Sequence, residues 1–161
     1  MEGSFTSISI SVITLIINSF ILWSTHWIPQ GNTKKEIRHW VDALWIGIAQ
    51  GISILPGISR SGATISTALW LNVKSEDATR FSFFLAIPAI LGATVFILPE
   101  SLSVVSPNMW TALTAGFIAA FVSGYFAISV LFKIVSKGRF HYFAIYTFAL
   151  AIVAFLFSSS R

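Results

Sequence analysis

The chain has 161 residues, 55% of them hydrophobic and only 10% charged, against roughly 25% charged in an ordinary soluble domain. That balance excludes a water-soluble globule, and the lack of cysteine excludes disulfides, Cys-rich zinc sites and thiol catalysis. The net charge of +4 does not point to nucleic acid, because most Lys and Arg residues cluster in short connectors between apolar runs and not on one solvated face.

A spanning helix needs about 20 mostly apolar residues. The first candidate is 5–23, FTSISISVITLIINSFILW. Residues 1–9 lack a basic n-region, so this run is expected to be a true span and not a cleavable signal. Ser7, Ser9, Ser11 and Asn18 weaken it, and it is expected to pack against protein instead of facing lipid all round.

Residues 42–73 come next and are interrupted. Pro56, Gly57 and Gly62 divide them into pieces too short to cross a bilayer. The expected form is a re-entrant hairpin with half-helices at about 43–54 and 61–71. Pro56 disfavours helix at Leu55, Gly57 suits the left-handed position that often ends a helix, and Ser59 or Ser61 can cap the second half. Backbone broken at membrane depth is tolerated only where protein or a wet cavity satisfies it, so the tip should line a cavity.

Three more spans follow, at 78–98, 109–132 and 141–157, and the whole chain, 1–161, reads as a single membrane domain. Ser75, ahead of Glu76 and Asp77, is expected to cap the first of them. Within it Pro88 should introduce a kink, and Gly92 could widen a neighbouring cavity. In the second, Ala112, Gly116, Ala120 and Gly124 form a small-residue stripe suited to close approach by another helix.

With the hairpin in place, the charges sort. Lys34, Lys35, Arg38, Lys74, Arg80, Lys133, Lys137 and Arg139 fall on one side and only Arg161 on the other, which makes the crowded side cytoplasmic. An ordinary span at 42–73 would destroy that asymmetry. His26, His39 and His141 map to the cytoplasmic connectors or span ends and suit surface roles better than acid catalysis.

Arg60 is then the one charged residue inside the bilayer, at a cost of at least about 2.5 kcal/mol on the gentlest scale. No carboxylate is expected at its depth, so its partner is a group from elsewhere or an anionic ligand. The guanidinium presents a planar fork for phosphate oxygens. Ser59, Ser61 and Thr64 add hydroxyls, Gly57 and Gly62 allow close approach to the backbone, and the second half-helix offers its first amides. Gln50 either reaches a ligand or bonds backbone. The tip alone is a phosphate cradle with no visible general base beside either serine.

The stretches AQGISILPGISRSGATIS and RFSFFLAIPAILGA resemble the second conserved region of the undecaprenyl pyrophosphate phosphatase, or bacitracin-resistance, family. The run Pro56, Gly57, Ser59, Arg60, Ser61, Gly62 and Thr64 carries the resemblance most sharply, which extends over essentially the whole chain. It implies an all-α membrane protein with about four transmembrane helices plus one re-entrant hairpin, one inverted repeat of a two-repeat fold. The implied activity is removal of the terminal phosphate of undecaprenyl diphosphate, regenerating the lipid carrier for peptidoglycan synthesis. The implied location is the bacterial inner membrane, with the site toward the outer face. By position, Arg60 would bind the diphosphate, with Ser59 and Thr64 contacting it or assisting catalysis. The resemblance also implies a divalent cation, Mg or Ca, but the glutamate-rich motif of the family's first repeat has no match here. The chain looks like the last helix of that first repeat plus the entire second. A missing N-terminal half or a homodimer partner is therefore expected. The competing readings are a polyprenyl-phosphate transporter or flippase, whose broken helices would also suit alternating access, and a non-catalytic membrane subunit.

Overall fold

The computed structural model describes residues 2–28, 36–37, 39–104 and 109–159. Six α-helices make up the described chain: α1 (Glu2–Ser24), α2 (Trp40–Ile52), α3 (Arg60–Trp70), α4 (Ser75–Val104), α5 (Trp110–Ser136) and α6 (Tyr142–Ser159), with a short 3-10 turn at Thr25–Trp27. This is an all-α membrane protein. Among the described residues, α1, α4 and α5 are each long and apolar enough to cross a bilayer, and α6 carries a shorter apolar stretch, Tyr142–Leu156. Of the connector charges, Lys34, Lys35, Arg38 and Arg161 lie outside the described residues.

The interrupted segment forms two short helices that pack on one another. At 1.5 Å per residue, the 13 residues of α2 and the 11 of α3 span about 20 Å and about 16 Å, well under the roughly 30 Å of a hydrocarbon core. α2 stops at Ile52, ahead of Pro56. Gly57 adopts a left-handed φ of 94° in the turn between the helices, five residues past the end of α2, so it shapes the tip and does not terminate the helix. Ser59, not Ser61, is the cap of α3: its hydroxyl accepts from the Gly62 N–H at 3.1 Å.

At the other end of α3 the stop signal is Asn72, with a φ of 60°. The Asn72 N–H donates to Leu69 O and the Val73 N–H to Ala68 O, both at 3.0 Å, the bond pair of a Schellman motif. Val73 and Ala68 are both fully buried, supplying the apolar contact that accompanies it. α4 then begins one residue earlier than expected. Because the Lys74 carbonyl already accepts from the Ala78 N–H at 2.9 Å, Ser75 is the first helical residue and not the cap. The helix runs on through Pro88 and Pro99.

Contacts among helix ends set the layout. The Trp70 indole donates to Ser24 Oγ at 3.1 Å, joining the end of α3 to the end of α1. Lys74 pairs with Glu36 at 3.3 Å. The Arg80 guanidinium lies 5.9 Å from the Phe132 ring centre, joining the start of α4 to the end of α5. The rings of His26 and His141 are 4.6 Å apart, joining the end of α1 to the start of α6. The described Lys and Arg connectors therefore share one end of the molecule. The core sits there too, built around Leu22, Ile65, Leu69, Val73, Val135 and Phe140.

Candidate functional site: a donor cluster at the hairpin tip

The tip is held by one face of α1. Ser11, Thr14 and Asn18 recur at spacings of three and four, so they stack on one side of the helix. The Thr14 hydroxyl is shared among the carbonyls of Ile10, Ser11 and Pro56, the last across the helix-to-tip interface. Asn18, fully buried, accepts the Ser59 N–H on its Oδ1 at 3.0 Å. α1 is about 34 Å long by its 23 residues. Thr14 and Asn18 lie about 15 Å and about 9 Å from its basic end, so the hairpin turns near the middle of α1.

Close packing there explains the glycines. A Cβ on Gly57 would collide with the Thr14 hydroxyl and come within 2.8 Å of the Ser11 carbonyl, and its left-handed φ disfavours a side chain in any case. At Gly62 a Cβ would approach the Ser59 side chain to 2.9 Å and Asn18 Oδ1 to 3.3 Å. Both glycines thus keep the tip tight against α1.

Arg60 is the first residue of α3, and its side chain is exposed. No carboxylate among the described residues pairs with it. It faces an open pocket of about 360 Å³ lined by Ala89, Ile90, Ala93, Thr94, Ile97 and Leu98 of α4. Those residues belong to the part of α4 beyond Pro88, away from the basic end. The amides of Arg60 and Ser61 find no hydrogen-bond acceptor among the described residues, as the start of a helix dictates. The Ser59 and Ser61 hydroxyls stand 3.5 Å apart, both half-buried. A guanidinium, two free amides and two hydroxyls thus occupy consecutive positions.

Thr64 lies elsewhere. It is buried, donates to the Arg60 carbonyl at 2.9 Å and meets Ser82 Oγ of α4 at 2.6 Å. With its proton used on Arg60, Thr64 receives the Ser82 hydrogen, and the pair fastens α3 to α4 one turn behind the tip. Gln50 bonds backbone: its Nε2 donates to Leu85 O at 3.2 Å. Pro88 has no N–H to give the Phe84 carbonyl four residues earlier in α4. Gly92 has open space around its Cα and does not line the Arg60 pocket. His26 and His141 pair at the basic end, far from the tip, and His39 precedes α2.

Sequence reasoning did not assign Thr14, Asn18 and Ser82 to the site. For the first two a signal existed in the polar spacing on an otherwise apolar helix; for Ser82 there was none. The donor set around Arg60 does not fit a divalent cation, since it presents hydrogens and positive charge, and no cluster of three or more His, Asp or Glu residues occurs among the described residues.

Fold and site together define a polytopic helical membrane protein with a cluster of hydrogen-bond donors at the tip of a broken-helix hairpin. The chain belongs to the BacA (bacitracin resistance protein) family, whose model matches residues 1–153. It is 41% identical to an undecaprenyl-diphosphatase of Alkaliphilus metalliredigens over 91% of this chain and 54% of the relative. It is likewise 41% identical to the undecaprenyl-diphosphatase of Carboxydothermus hydrogenoformans over 94% of this chain and 59% of that one. The chain thus spans little more than half the length of these curated relatives. The undecaprenyl-diphosphatase of Methanothermobacter thermautotrophicus is 38% identical over 94% of this chain, which covers 85% of it.

Proposed function

We propose that this chain supplies the diphosphate-binding part of an undecaprenyl-diphosphatase, which removes the terminal phosphate of the lipid carrier in the inner membrane. The observation that carries the reading is Arg60: an exposed guanidinium with no carboxylate partner among the described residues, at the start of a helix whose first amides find no acceptor among them, beside an apolar pocket. The names of the relatives supply the substrate class, and the Methanothermobacter relative bears the same name at a length this chain largely covers.

In this reading the guanidinium fork and the Arg60 and Ser61 amides hold the diphosphate oxygens, while the Ser59 and Ser61 hydroxyls donate to the terminal phosphoryl group. As water displaces the phosphomonoester, charge grows on the departing bridging oxygen, and donors fixed in a poorly hydrated site stabilise it without reorganising. Ser59 meets the phosphate through its hydrogen, because the phosphate oxygens are acceptors, while its own oxygen accepts from the Gly62 amide. Thr64 acts one step back, by holding α3 against α4. The apolar wall of Ala89, Ala93 and Ile97 accepts the first prenyl units, and its place beyond Pro88, away from the basic end, supports a site toward the outer face. In this reading the donors at the tip do not hold a divalent cation, and any cation the reaction uses is held by other groups.

The test is phosphate release from polyprenyl diphosphate by the purified chain, alone and co-expressed with the portion of the Alkaliphilus relative that it does not cover, with and without Mg²⁺. Release by either preparation, abolished by Arg60→Ala, is the expected outcome. Binding without release in every combination would replace the phosphatase with a polyprenyl-phosphate transporter. Neither binding nor release would leave a structural subunit.

A further inference from the structure

A second cationic groove lies at the basic end of the fold, away from the hairpin tip. Where α5 passes into α6, Ile134, Arg139, Tyr142, Phe143 and Tyr146 line an open groove of about 530 Å³, with one guanidinium, two phenols and otherwise apolar walls. We propose that it binds an anionic membrane phospholipid, with Arg139 on the headgroup phosphate and the upper acyl chain along Phe143 and Tyr146.

The backbone fixes where the charge sits. Gly138 takes a left-handed φ of 69°, its N–H bonds Val135 O at 2.9 Å, and the Arg139 N–H bonds Ile134 O at 3.1 Å. This Schellman pair ties Arg139 to a residue of the groove wall. Phe140 and Ala144, both buried, anchor the start of α6. The Arg139 side chain is exposed and pairs with no carboxylate among the described residues.

Charge complementarity selects the occupant. The sequence has no Asp or Glu after Glu100, so α5, the connector and α6 bring Lys133, Lys137 and Arg139 together with no acid of their own. Glu76 and Asp77 stand on the first turn of α4 at the same end, beside Arg80, and neither pairs with Arg139. The first amides of α6 are also spent: those of Tyr142, Phe143 and Ala144 bond Arg139 O, Phe140 O and His141 O. Recognition of an anion therefore falls to side chains. A cation at a membrane-protein helix end, followed by tyrosines and apolar wall, matches a phospholipid in its order of charge, interface and hydrocarbon. A soluble anion would use the guanidinium and leave the wall empty.

Native mass spectrometry of the full chain in detergent, titrated with phosphatidylglycerol or phosphatidylcholine, tests this. Phosphatidylglycerol should bind about fivefold or more tighter, and Arg139→Gln should erase most of that preference without altering the melting temperature measured lipid-free. Lys133→Gln with Lys137→Gln should change it less than about twofold, and Tyr142→Phe with Tyr146→Phe should weaken both lipids alike. Equal affinity for the two lipids would overturn the proposal, as would an unaltered preference in Arg139→Gln. A loss in the double lysine variant as large as in Arg139→Gln would show diffuse surface attraction instead of a site. Complete competition by millimolar inorganic phosphate would show a soluble-anion site. Arg60→Ala should leave the lipid preference intact, which keeps this result separate from the hairpin-tip reading.

Discussion

α3 and α5 invert the arrangement of a soluble protein. α3 is 11 residues long and includes an arginine, two serines and two threonines, yet seven of its residues are buried, Thr64 and Ser66 among them. α5 has 27 largely apolar residues and buries only Val135, leaving Phe117 71% and Phe121 68% exposed. In water this would place polar groups inside and hydrocarbon outside. In lipid it is the low-energy order, because hydrocarbon costs nothing against acyl chains while every polar group must find a partner within protein. The polar helix is buried because it is polar, and the donors left at its start are where a ligand can complete the bonding.

The sharpest way to break that contrast is Arg60→Ala. With charge-assisted bonds worth about 1.5–3 kcal/mol each, losing a bidentate fork should weaken polyprenyl diphosphate binding about a hundredfold or more, with helix content by circular dichroism unchanged. Arg60→Lys should recover little, since a point charge cannot replace the fork. Retention of wild-type affinity in the alanine variant would sink the cradle.

Next in size is Gly57→Ala, which forces a side chain into a left-handed conformation and against Thr14. A loss of about 2–3 kcal/mol is expected, read as a lowered melting temperature in detergent; an unshifted transition would mean that the tip does not dock on α1. Asn18→Leu should cost about 1–3 kcal/mol by stranding the part-buried Ser59 N–H. Thr64→Val removes one buried bond to Ser82, and about 1 kcal/mol of stability should go with it, with diphosphate affinity falling far less than in Arg60→Ala. A Thr64→Val variant as defective in binding as Arg60→Ala would instead put that hydroxyl on the ligand.

The smallest effect belongs to α5. Gly116 and Gly124 of the small-residue stripe have open space where a Cβ would go, and no described helix packs on them. Gly124→Ala should therefore shift the isolated chain's stability by no more than about 0.5 kcal/mol. A larger loss appearing only on co-expression with the portion of the Alkaliphilus relative that this chain does not cover would identify the stripe as the contact between the two.

The membrane class, the broken segment and its solitary arginine were legible because they depend on local rules: run length, the missing N–H of proline, the φ freedom of glycine and the cost of a charge in lipid. The half-helix limits expected at 43–54 and 61–71 lie close to Trp40–Ile52 and Arg60–Trp70. Thr64 illustrates the limit of such reading. Its place in the SRSGAT run put it among the donors, but at four residues past Arg60 a helix turns its hydroxyl back onto the Arg60 carbonyl and toward whichever helix packs there. Only the position of α4 made that neighbour Ser82.

By itself, then, the sequence determined the solvent, the place where the chain breaks and the sign of the group exposed at the break, because each follows from a few consecutive residues and their solvation. Tertiary structure decided which helix holds the tip, that Thr64 and Gln50 both bond to α4, and that the core gathers at the basic end. Those outcomes rest on partners such as Asn18 and Ser59, 41 positions apart. No local rule selects between equivalent hydrogen-bond partners at that separation; the packing of apolar faces brings one of them within reach.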